Sequence, residues 1–255
     1  MRNAIFCLSC LLLTGTLNVS IGANDLIGNQ VSRSMQTDPR SLKLFYDKPA
    51  ADWNAALPIG NGRLGAMVFG VPGKEQVQLN EETIWAGEPG NNVPANARSR
   101  IEEIRKLLRE GNPKAAQDLA NATFPWAVPE GLNYGMPYQT FGSLWLDFPD
   151  HATYSGYSRE LDIRDAVTRT SYTVDGVTYQ REMFTSFTDD VVVIRLTAST
   201  KGRLTFSVGM TTPHERHAIA VKDGRLELSG TSGSHEHKEG RIQFVGLVHL
   251  KSTGG

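Results

Sequence analysis

Cysteine is nearly absent from this chain. Its 255 residues include two cysteines, Cys7 and Cys10, and both lie in an apolar stretch at the amino terminus. The rest of the chain therefore offers no thiol and no disulfide, which excludes a small domain stapled by cross-links. A chain of this length can instead bury a substantial hydrophobic core.

The chain also lacks an excess of charge of either sign. It contains 26 Lys and Arg residues against 27 Asp and Glu residues, for a formal net charge of −1. Because there is no basic field and no basic amphipathic face, we expect no nucleic-acid partner and no membrane partner. The sequence has neither a nucleophile elbow nor a phosphate-binding loop.

Apolar runs long enough to cross a membrane are missing as well. The run at residues 4–13 is too short to span a bilayer. It follows a cationic start at Arg2 and precedes small residues up to Ala23, which is the pattern of a secretory signal peptide. We therefore predict a signal peptide at 1–23, a flexible polar leader at 24–41, and export to the periplasm or the extracellular space.

The stretch from Leu57 to Trp85 combines glycines, strand patterns and a polar cluster. It reads LPIGNGRLGAMVFGVPGKEQVQLNEETIW. Ala66–Phe69 and Val77–Asn80 are predicted strands, the second because apolar and polar residues alternate. Proline and glycine within Val71–Lys74 predict the turn between them. The carboxylates, amide, hydroxyl and indole of Asn80–Trp85 are the groups that a sugar-facing surface uses.

Two helices are predicted after this stretch. Apolar residues recur at helical spacing from about residue 96 to residue 110, with Gly111 as the stop. A shorter helix is predicted at 113–121, with Asn112 as its cap and Pro113 in the first helical position.

The segment Phe124–Phe141 is predicted to be an irregular, aromatic-rich loop. Prolines and glycines alternate in it with Phe, Trp and Tyr residues. Loops of this kind either pack over a core or carry function. One interpretation is that these aromatic side chains cap the end of a sandwich. The alternative is that Trp126 or Tyr138 lines a sugar cleft and stacks on the sugar.

From Leu144 onward the sequence pattern is typical of β-strands separated by turns. Asp175-Gly176 and Asp223-Gly224 separate apolar–polar alternating runs, which predicts two tight hairpins. Val191–Leu196 is predicted as a strand buried on both faces, and Leu204–Val208 as an alternating strand. The predicted fold class is mainly β: an antiparallel β-sandwich with a short inserted helical pair.

Several segments resemble the N-terminal domain of glycoside hydrolase family 95, the α-L-fucosidases. LPIGNGRLGAMVFG at 57–70 and LNEETIW at 79–85 match its pattern most closely. YQTFGSLWL at 138–146, YSRELDI at 157–163 and REMFTS at 181–186 are similar to further segments of that family.

The resemblance covers about residues 42–255. It implies a β-sandwich of the super-sandwich type, incomplete at its C-terminus, and a helical barrel that follows it and carries the catalytic residues. The parent enzyme would be an exported α-L-fucosidase that hydrolyses terminal α-L-fucosyl linkages in glycans by inversion. No residue of this chain then inherits a catalytic role, and the fragment alone is predicted to be inactive. Its expected partners are the missing barrel and, through the parent enzyme, the glycan.

One set of residues is predicted to form the barrel interface or the rim of its pocket: Asn61, Arg63, Asn80, Glu81, Thr83 and Trp85. The alternative is that Arg63 and Glu81 form a buried or half-buried ion pair inside the sandwich. Glu81 and Glu82 are not predicted to be an acid–base pair, because neighbours on a strand point to opposite faces.

No cofactor and no metal site are expected. His214-Glu215-Arg216-His217 misses the zinc-protease pattern, because Ala218 stands where the second histidine belongs. His235-Glu236-His237 lies in a Ser- and Gly-rich segment and is predicted to be a solvated turn.

Two alternative functions remain open at this stage. The parent enzyme could act on α-L-galactosides, because L-galactose differs from L-fucose only by a C6 hydroxyl and pockets reject such additions poorly. The chain could also be a non-catalytic module that binds carbohydrate or supports a partner.

Overall fold

The computed structural model describes residues 42–89, 93–124, 127–128, 131–132 and 135–253. The predicted signal peptide, the predicted leader and Trp126 lie outside the described residues. The domain boundaries predicted from the sequence therefore stay predictions.

The described residues form two α-helices and fifteen β-strands. In chain order these are β1 (Lys43–Tyr46), β2 (Leu57–Gly60), β3 (Leu64–Val68), β4 (Lys74–Glu81), α1 (Ala97–Arg109), α2 (Pro113–Thr123), β5 (Ala127–Val128), β6 (Gly131–Leu132), β7 (Gly142–Asp147), β8 (Ser155–Asp162), β9 (Val167–Val174), β10 (Val177–Ser186), β11 (Val191–Ala198), β12 (Ser207–Thr211), β13 (His217–Lys222), β14 (Arg225–Thr231) and β15 (Gln243–His249). None of the helices in the described part of the chain has the length and apolar character needed to cross a bilayer.

The chain divides into two compact units. The first contains residues 42–83, 140–230 and 243–253, and the second contains the described parts of 84–139 and 231–242.

The first unit is an antiparallel sandwich, which confirms the predicted fold class. One sheet has the strand order β1-β8-β9-β10-β11, the other has the order β12-β7-β4-β3-β2, and β13, β14 and β15 form a third sheet. Side chains alternate along each central strand. In β4 and β10 every second residue is buried, and these buried rows face the core between the two five-stranded sheets.

Both predicted hairpins are present. Asp175 and Gly176 have φ angles of 49° and 77°, which is the left-handed geometry that a two-residue turn between β9 and β10 requires. Asp223 and Gly224 join β13 to β14 in the same way.

Two strand predictions were wrong in detail. β11 is the last strand of its sheet, and it alternates between buried and half-buried residues, so it is not covered on both faces as predicted. β12 begins at Ser207, three residues after the predicted start at Leu204. Short apolar runs of β-branched residues do not distinguish a central strand from an edge strand.

The core of the sandwich contains a buried ion pair. Glu75 on β4 is 0% exposed and Arg181 on β10 is 2% exposed, and Arg181 Nη1 lies 2.7 Å from Glu75 Oε2. Arg181 also donates to the Tyr172 hydroxyl at 2.6 Å and to the backbone oxygens of Val71 and Pro72. The Gly70 amide donates to Glu75 Oε1 at 2.7 Å. The pair thereby fixes the turn between β3 and β4 to the opposite sheet.

The same turn is held from a second side. The Tyr157 hydroxyl donates to the Gly70 oxygen at 2.7 Å. Gly70 has a φ of +75°, and a Cβ atom there would lie 2.7 Å from that hydroxyl, so only glycine fits. Arg159 is buried beside it and donates to the backbone oxygens of Lys48 and Ala55, each at 2.8 Å.

The outer face of the first sheet carries a ladder of alternating charges. Lys43, Glu160, Arg169, Glu182 and Arg195 lie on five successive strands, and neighbouring members are 2.9 to 3.5 Å apart. Exposed pairs of this kind contribute little to stability individually. The ladder therefore marks a solvated face.

The second unit contains the helical pair. α1 and α2 begin and end within one or two residues of the predicted positions. Gly111, with a φ of +74°, ends α1, and the amide of Asn112 donates to the Leu107 oxygen at 2.9 Å as in a Schellman motif. Asn112 precedes α2 as predicted, but its side chain makes no capping hydrogen bond.

Substitution of Glu75 by Gln tests the buried pair. The change leaves the Arg181 cation buried without its counter-charge, so we expect the free energy of unfolding to fall by about 3–5 kcal/mol. Urea unfolding followed by circular dichroism measures the loss. The matched control is Glu182→Gln on the solvated ladder, which should cost about 0–1 kcal/mol. Equal losses in the two variants would contradict the role of the buried pair.

Stability is also expected to depend on pH through His151. This residue is buried, its Nδ1 lies 2.9 Å from the Tyr172 hydroxyl, and burial together with the Arg181 cation lowers its pKa below the ordinary value of about 6.5. The unfolded chain then binds the proton at a higher pH than the folded chain does. Stability should therefore fall as the pH drops below about 6.5. Unfolding curves between pH 7.5 and 5 should have a shallower pH slope for His151→Gln than for the unsubstituted chain; equal slopes would refute the assignment.

Candidate functional site

Asn61 organises the turn between β2 and β3. Its Oδ1 accepts hydrogen bonds from the backbone amides of Arg63 and Leu64 at 3.1 and 2.7 Å. Its Nδ2 donates to the Ser186 oxygen at 2.8 Å and to Asp190 Oδ1 at 2.9 Å. Both ends of the amide are therefore engaged within the protein, and they join this turn to the turn between β10 and β11.

Arg63 bridges two carboxylates. Its Nε lies 3.1 Å from Glu81 Oε1, and its Nη1 lies 2.5 Å from Asp190 Oδ2. Hydrogen bonds to Asp190 and Glu81 raise the pKa of Arg63, and the bond from Arg63 lowers the pKa of Asp190. The alternative interpretation of an Arg63–Glu81 ion pair is therefore confirmed.

Glu81 is engaged at both of its oxygens. It is 4% exposed, and its Oε2 accepts from the Thr83 amide at 2.9 Å and from the Thr83 hydroxyl at 2.6 Å. The structure thus brings together four of the predicted residues, Asn61, Arg63, Glu81 and Thr83, in one network at the end of the sandwich. Their polar atoms bond to one another, which favours a structural role. Contact with a barrel or a sugar stays a prediction.

Asn80 lies outside this network. It pairs with Gly65 across β3 and β4, on the half-exposed side of β4 that also carries Gln76 and Gln78. Its Oδ1 is buried and has no hydrogen-bond partner among the described residues. Glu81 therefore belongs to the internal network, whereas its neighbour Asn80 lies on a face lined by amide side chains.

Glu81 and Glu82 are separated for a different reason from the one predicted. β4 ends at Glu81, and Glu82 lies in the following turn, where its amide donates to the Arg63 oxygen at 3.0 Å. Glu82 is exposed whereas Glu81 is buried. Burial thus distinguishes the two carboxylates, and the absence of an acid–base pair between them stays a prediction.

Trp85 and Tyr138 come together in the second unit. Their backbones form an isolated antiparallel bridge, and their ring centroids are 5.2 Å apart with an angle of 70° between the planes. Both side chains are exposed, Trp85 by 45% and Tyr138 by 38%. The sequence placed these residues in separate hypotheses, as a rim residue and as a stacking residue.

The histidines of the two predicted motifs have structural contacts. His214 is buried against Phe244, and its Nε2 lies 2.9 Å from the Thr140 oxygen. His235 and Lys238 close a turn through reciprocal backbone hydrogen bonds. Within the described residues, no three His, Cys, Asp or Glu side chains are grouped to hold a metal ion.

A groove of about 740 Å³ runs beside β11 in the first unit. Its walls are residues 194–198, 200–206 and 250–253, and its charged members are all cationic: Arg195, Lys201, Arg203 and Lys251. Glycosidases use a pair of carboxyl groups to break the bond. The lining of this groove contains no carboxylate, so it cannot supply that pair.

Sequence reasoning missed Asp190 in the Arg63 network and three buried polar residues, Glu75, Arg159 and Arg181. Two of them lie in segments that carry the family resemblance, YSRELDI and REMFTS. A signal was present: Arg181 occupies the same side of β10 as Val177, Tyr179 and Met183. A charge in an apolar register indicates a buried partner.

Comparison with known proteins identifies the family of this chain. Residues 44–255 match the family model of the glycosyl hydrolase family 65 N-terminal domain. Alpha-L-fucosidase 2 of Arabidopsis thaliana is 34% identical over 220 residues, which are 82% of this chain and 25% of that protein. A probable alpha-fucosidase A of Aspergillus niger is 31% identical over 151 residues, 56% of this chain and 18% of that protein. One from Aspergillus oryzae is 25% identical over 166 residues, 61% of this chain and 22% of that protein.

The chain therefore belongs to the family of glycosyl hydrolase family 65-type N-terminal domains. Its similarity to alpha-fucosidases confirms the resemblance predicted from the sequence, that of an N-terminal fucosidase domain. The chain spans about a quarter or less of the length of these relatives.

Substitution of Glu81 by Gln tests the network at the end of the sandwich. The amide nitrogen would face the Thr83 donors and Arg63 would lose one counter-charge, so we expect the free energy of unfolding to fall by about 1–3 kcal/mol. Glu82→Gln is the matched control one residue away, and its effect should stay within about 0.5 kcal/mol. Equal changes in the two variants would contradict a structural role for Glu81.

Proposed function

We propose that this chain is the N-terminal domain of an exported α-L-fucosidase that removes terminal α-L-fucosyl residues from glycans with inversion. One observation carries the proposal: the 34% identity to Alpha-L-fucosidase 2 of Arabidopsis thaliana, which extends over 82% of the chain. The catalytic residues belong to a helical barrel outside this chain. The sandwich serves as the scaffold against which that barrel packs.

Export is proposed on the pattern of the amino terminus. A cationic start, an apolar run of about ten residues and small residues near position 22 are the parts of a secretory signal peptide. The absence of cysteine after residue 10 is compatible with an oxidising compartment, because the domain needs no disulfide and exposes no thiol there.

The arrangement of carboxylates supports a non-catalytic role for this domain. An inverting glycosidase needs an acid and a base roughly 6.5–9.5 Å apart, both facing the scissile bond. Glu75 and Glu81 are buried and bonded to arginines, and Asp190 is bonded to Arg63 and Asn61. Burial raises the pKa of Glu75, but the Arg181 cation opposes that rise and occupies the carboxylate. None of these three is available as a general acid or base.

The stability of the sandwich is itself part of the proposed function. A scaffold that holds a catalytic domain must not deform when substrate binds. The Arg181–Glu75 pair fixes the turn between β3 and β4, and the Asn61–Arg63–Glu81 network fixes the turn between β2 and β3. Both turns within the motif-rich segment 57–81 are thereby tied to the opposite sheet.

The proposal is tested with nitrophenyl glycosides. The 255-residue chain should show no turnover of 4-nitrophenyl α-L-fucoside, whereas the longer parent protein should hydrolyse it and give the β-anomer of fucose first. Release of nitrophenol and an early proton NMR spectrum of the product measure the two outcomes. Turnover by the 255-residue chain would overturn the assignment of catalysis to another domain.

A second substrate separates the fucosidase from its near variant. Because a pocket rejects an added hydroxyl weakly, the parent protein should retain some activity on the α-L-galactoside but prefer the fucoside. A preference for the galactoside would replace the proposed activity with that of an α-L-galactosidase. If the parent protein hydrolysed neither glycoside, the chain would be assigned to a non-catalytic module.

A further inference from the structure

We propose that Trp85 and Tyr138 form an aromatic corner that binds a 6-deoxyhexose residue, the fucosyl end of a glycan. The aromatic corner is defined as the two ring faces that meet at the bridge between these residues. This inference rests on the proposed function for the identity of the sugar, and on the geometry of the second unit for the existence of the site.

The exposure of Trp85 is the first observation. Its neighbours Ile84 and Ala86 are 1% and 2% exposed, yet the much larger indole between them is 45% exposed. Exposing an indole forfeits a large hydrophobic gain, because an aromatic side chain can bury 150–250 Å². The two buried neighbours anchor the segment, and the indole between them points outward.

The rigidity of the corner is the second observation. The Ala86 amide donates to the Pro137 oxygen, and the Gln139 amide donates to the Ile84 oxygen, each at 2.9 Å. The Gly87 amide donates to the Gly233 oxygen at 2.8 Å, which fixes the segment on its other side. Both rings are therefore mounted on hydrogen-bonded backbone, so a ligand would find them already in position.

The angle between the rings is the third observation, because it selects the shape of the ligand. Planes that meet at 70° with centroids 5.2 Å apart present two apolar walls rather than one flat platform. A 6-deoxyhexose has two apolar surfaces, the face of ring C–H groups and the C6 methyl group, and a corner can contact both. A sugar with a hydroxymethyl group would place a polar group against the second wall.

Charged groups for the sugar hydroxyls lie in the same unit. Glu88 follows Trp85 by three residues, and its Oε2 lies 2.7 Å from Nε of Arg241. Both side chains retain exposure, so part of their polar surface stays open to hydrogen bonding in this unit. Apolar walls with a few polar groups beside them are the usual composition of a sugar or small-molecule site.

The test uses the 255-residue chain and methyl α-L-fucoside as the probe. We expect the indole N–H resonance of Trp85 and the ring resonances of Tyr138 to shift in a saturable manner in NMR titrations, with Kd on the order of millimolar. The shifts must be confined to the second unit. Absence of saturable shifts at these two residues overturns the proposal directly, without any variant.

Substitutions of Trp85 and Tyr138 then measure how much each ring contributes to fucoside binding. Trp85→Ala and Tyr138→Ala should each weaken binding by at least about tenfold, and Trp85→Phe by less, because part of the apolar wall remains. Trp53→Ala is the matched control, since Trp53 is exposed by 55% in the first unit and should not affect Kd. Unchanged binding in both alanine variants that retain the native circular dichroism spectrum would refute the site. If an alanine variant fails to fold, weaker binding by Trp85→Phe supports the site, and unchanged binding refutes it.

Comparison of probes tests the selectivity of the corner and separates it from the proposed function. Methyl α-L-galactoside should bind on the order of fivefold more weakly than the fucoside, since it exchanges the methyl contact for a hydroxymethyl group. Equal binding of methyl α-D-glucoside would refute a 6-deoxyhexose site. A parent protein that hydrolyses fucosides, with no binding at Trp85 in the chain, would refute the corner and leave the proposed function standing. Selective fucoside binding by the chain, with a parent that lacks hydrolase activity, would support the corner and overturn the proposed function.

Discussion

The ion pair between Arg181 and Glu75 is the contact on which the sandwich depends. It is buried, it joins the two five-stranded sheets, and it binds the turn between β3 and β4 through three backbone groups of residues 70–72. Removing charges from water is costly, and only a fully bonded geometry offsets that cost. Truncating either partner would leave the other charge buried without its counter-charge. The pair therefore ties the turn between β3 and β4 to the opposite sheet, in addition to the register that the packing of the buried faces imposes.

The residues of the candidate site fall into two groups. At the end of the sandwich, Asn61, Arg63 and Glu81 bond to each other and to neighbouring turns, so their chemistry is used internally. In the second unit, Trp85 and Tyr138 keep their rings exposed while their backbone is fixed. The motif LNEETIW thus divides its residues between a structural network and an accessible aromatic pair. Similarity to alpha-fucosidases over most of the chain does not by itself distinguish those two roles.

The sequence predicted the elements better than their partners. Period-two alternation and Asp-Gly turns located β9, β10, β13 and β14, because both are local properties of the chain. The prediction for Val191–Leu196 was wrong about burial, since a β-branched run looks the same at the edge of a sheet as at its centre. The Arg63–Glu81 pair was anticipated as an alternative. The second ion pair of Arg63, with Asp190, was not, because the two residues are 127 positions apart in the chain.

The sequence by itself determined the β-rich class, the helical pair, the family resemblance and the lack of disulfides. Each of these depends on composition, local periodicity or short motifs, which are properties that adjacent residues carry. Only the tertiary structure decided that Arg181 meets Glu75, that Asn80 and Glu81 serve different environments, and that Trp85 meets Tyr138. The two contacts join residues 106 and 53 positions apart in the chain. They and the different environments of Asn80 and Glu81 depend on strand register and on which sheet face is buried. A register is fixed by the packing of the whole sandwich, because a shift of one residue would move every side chain to the other face.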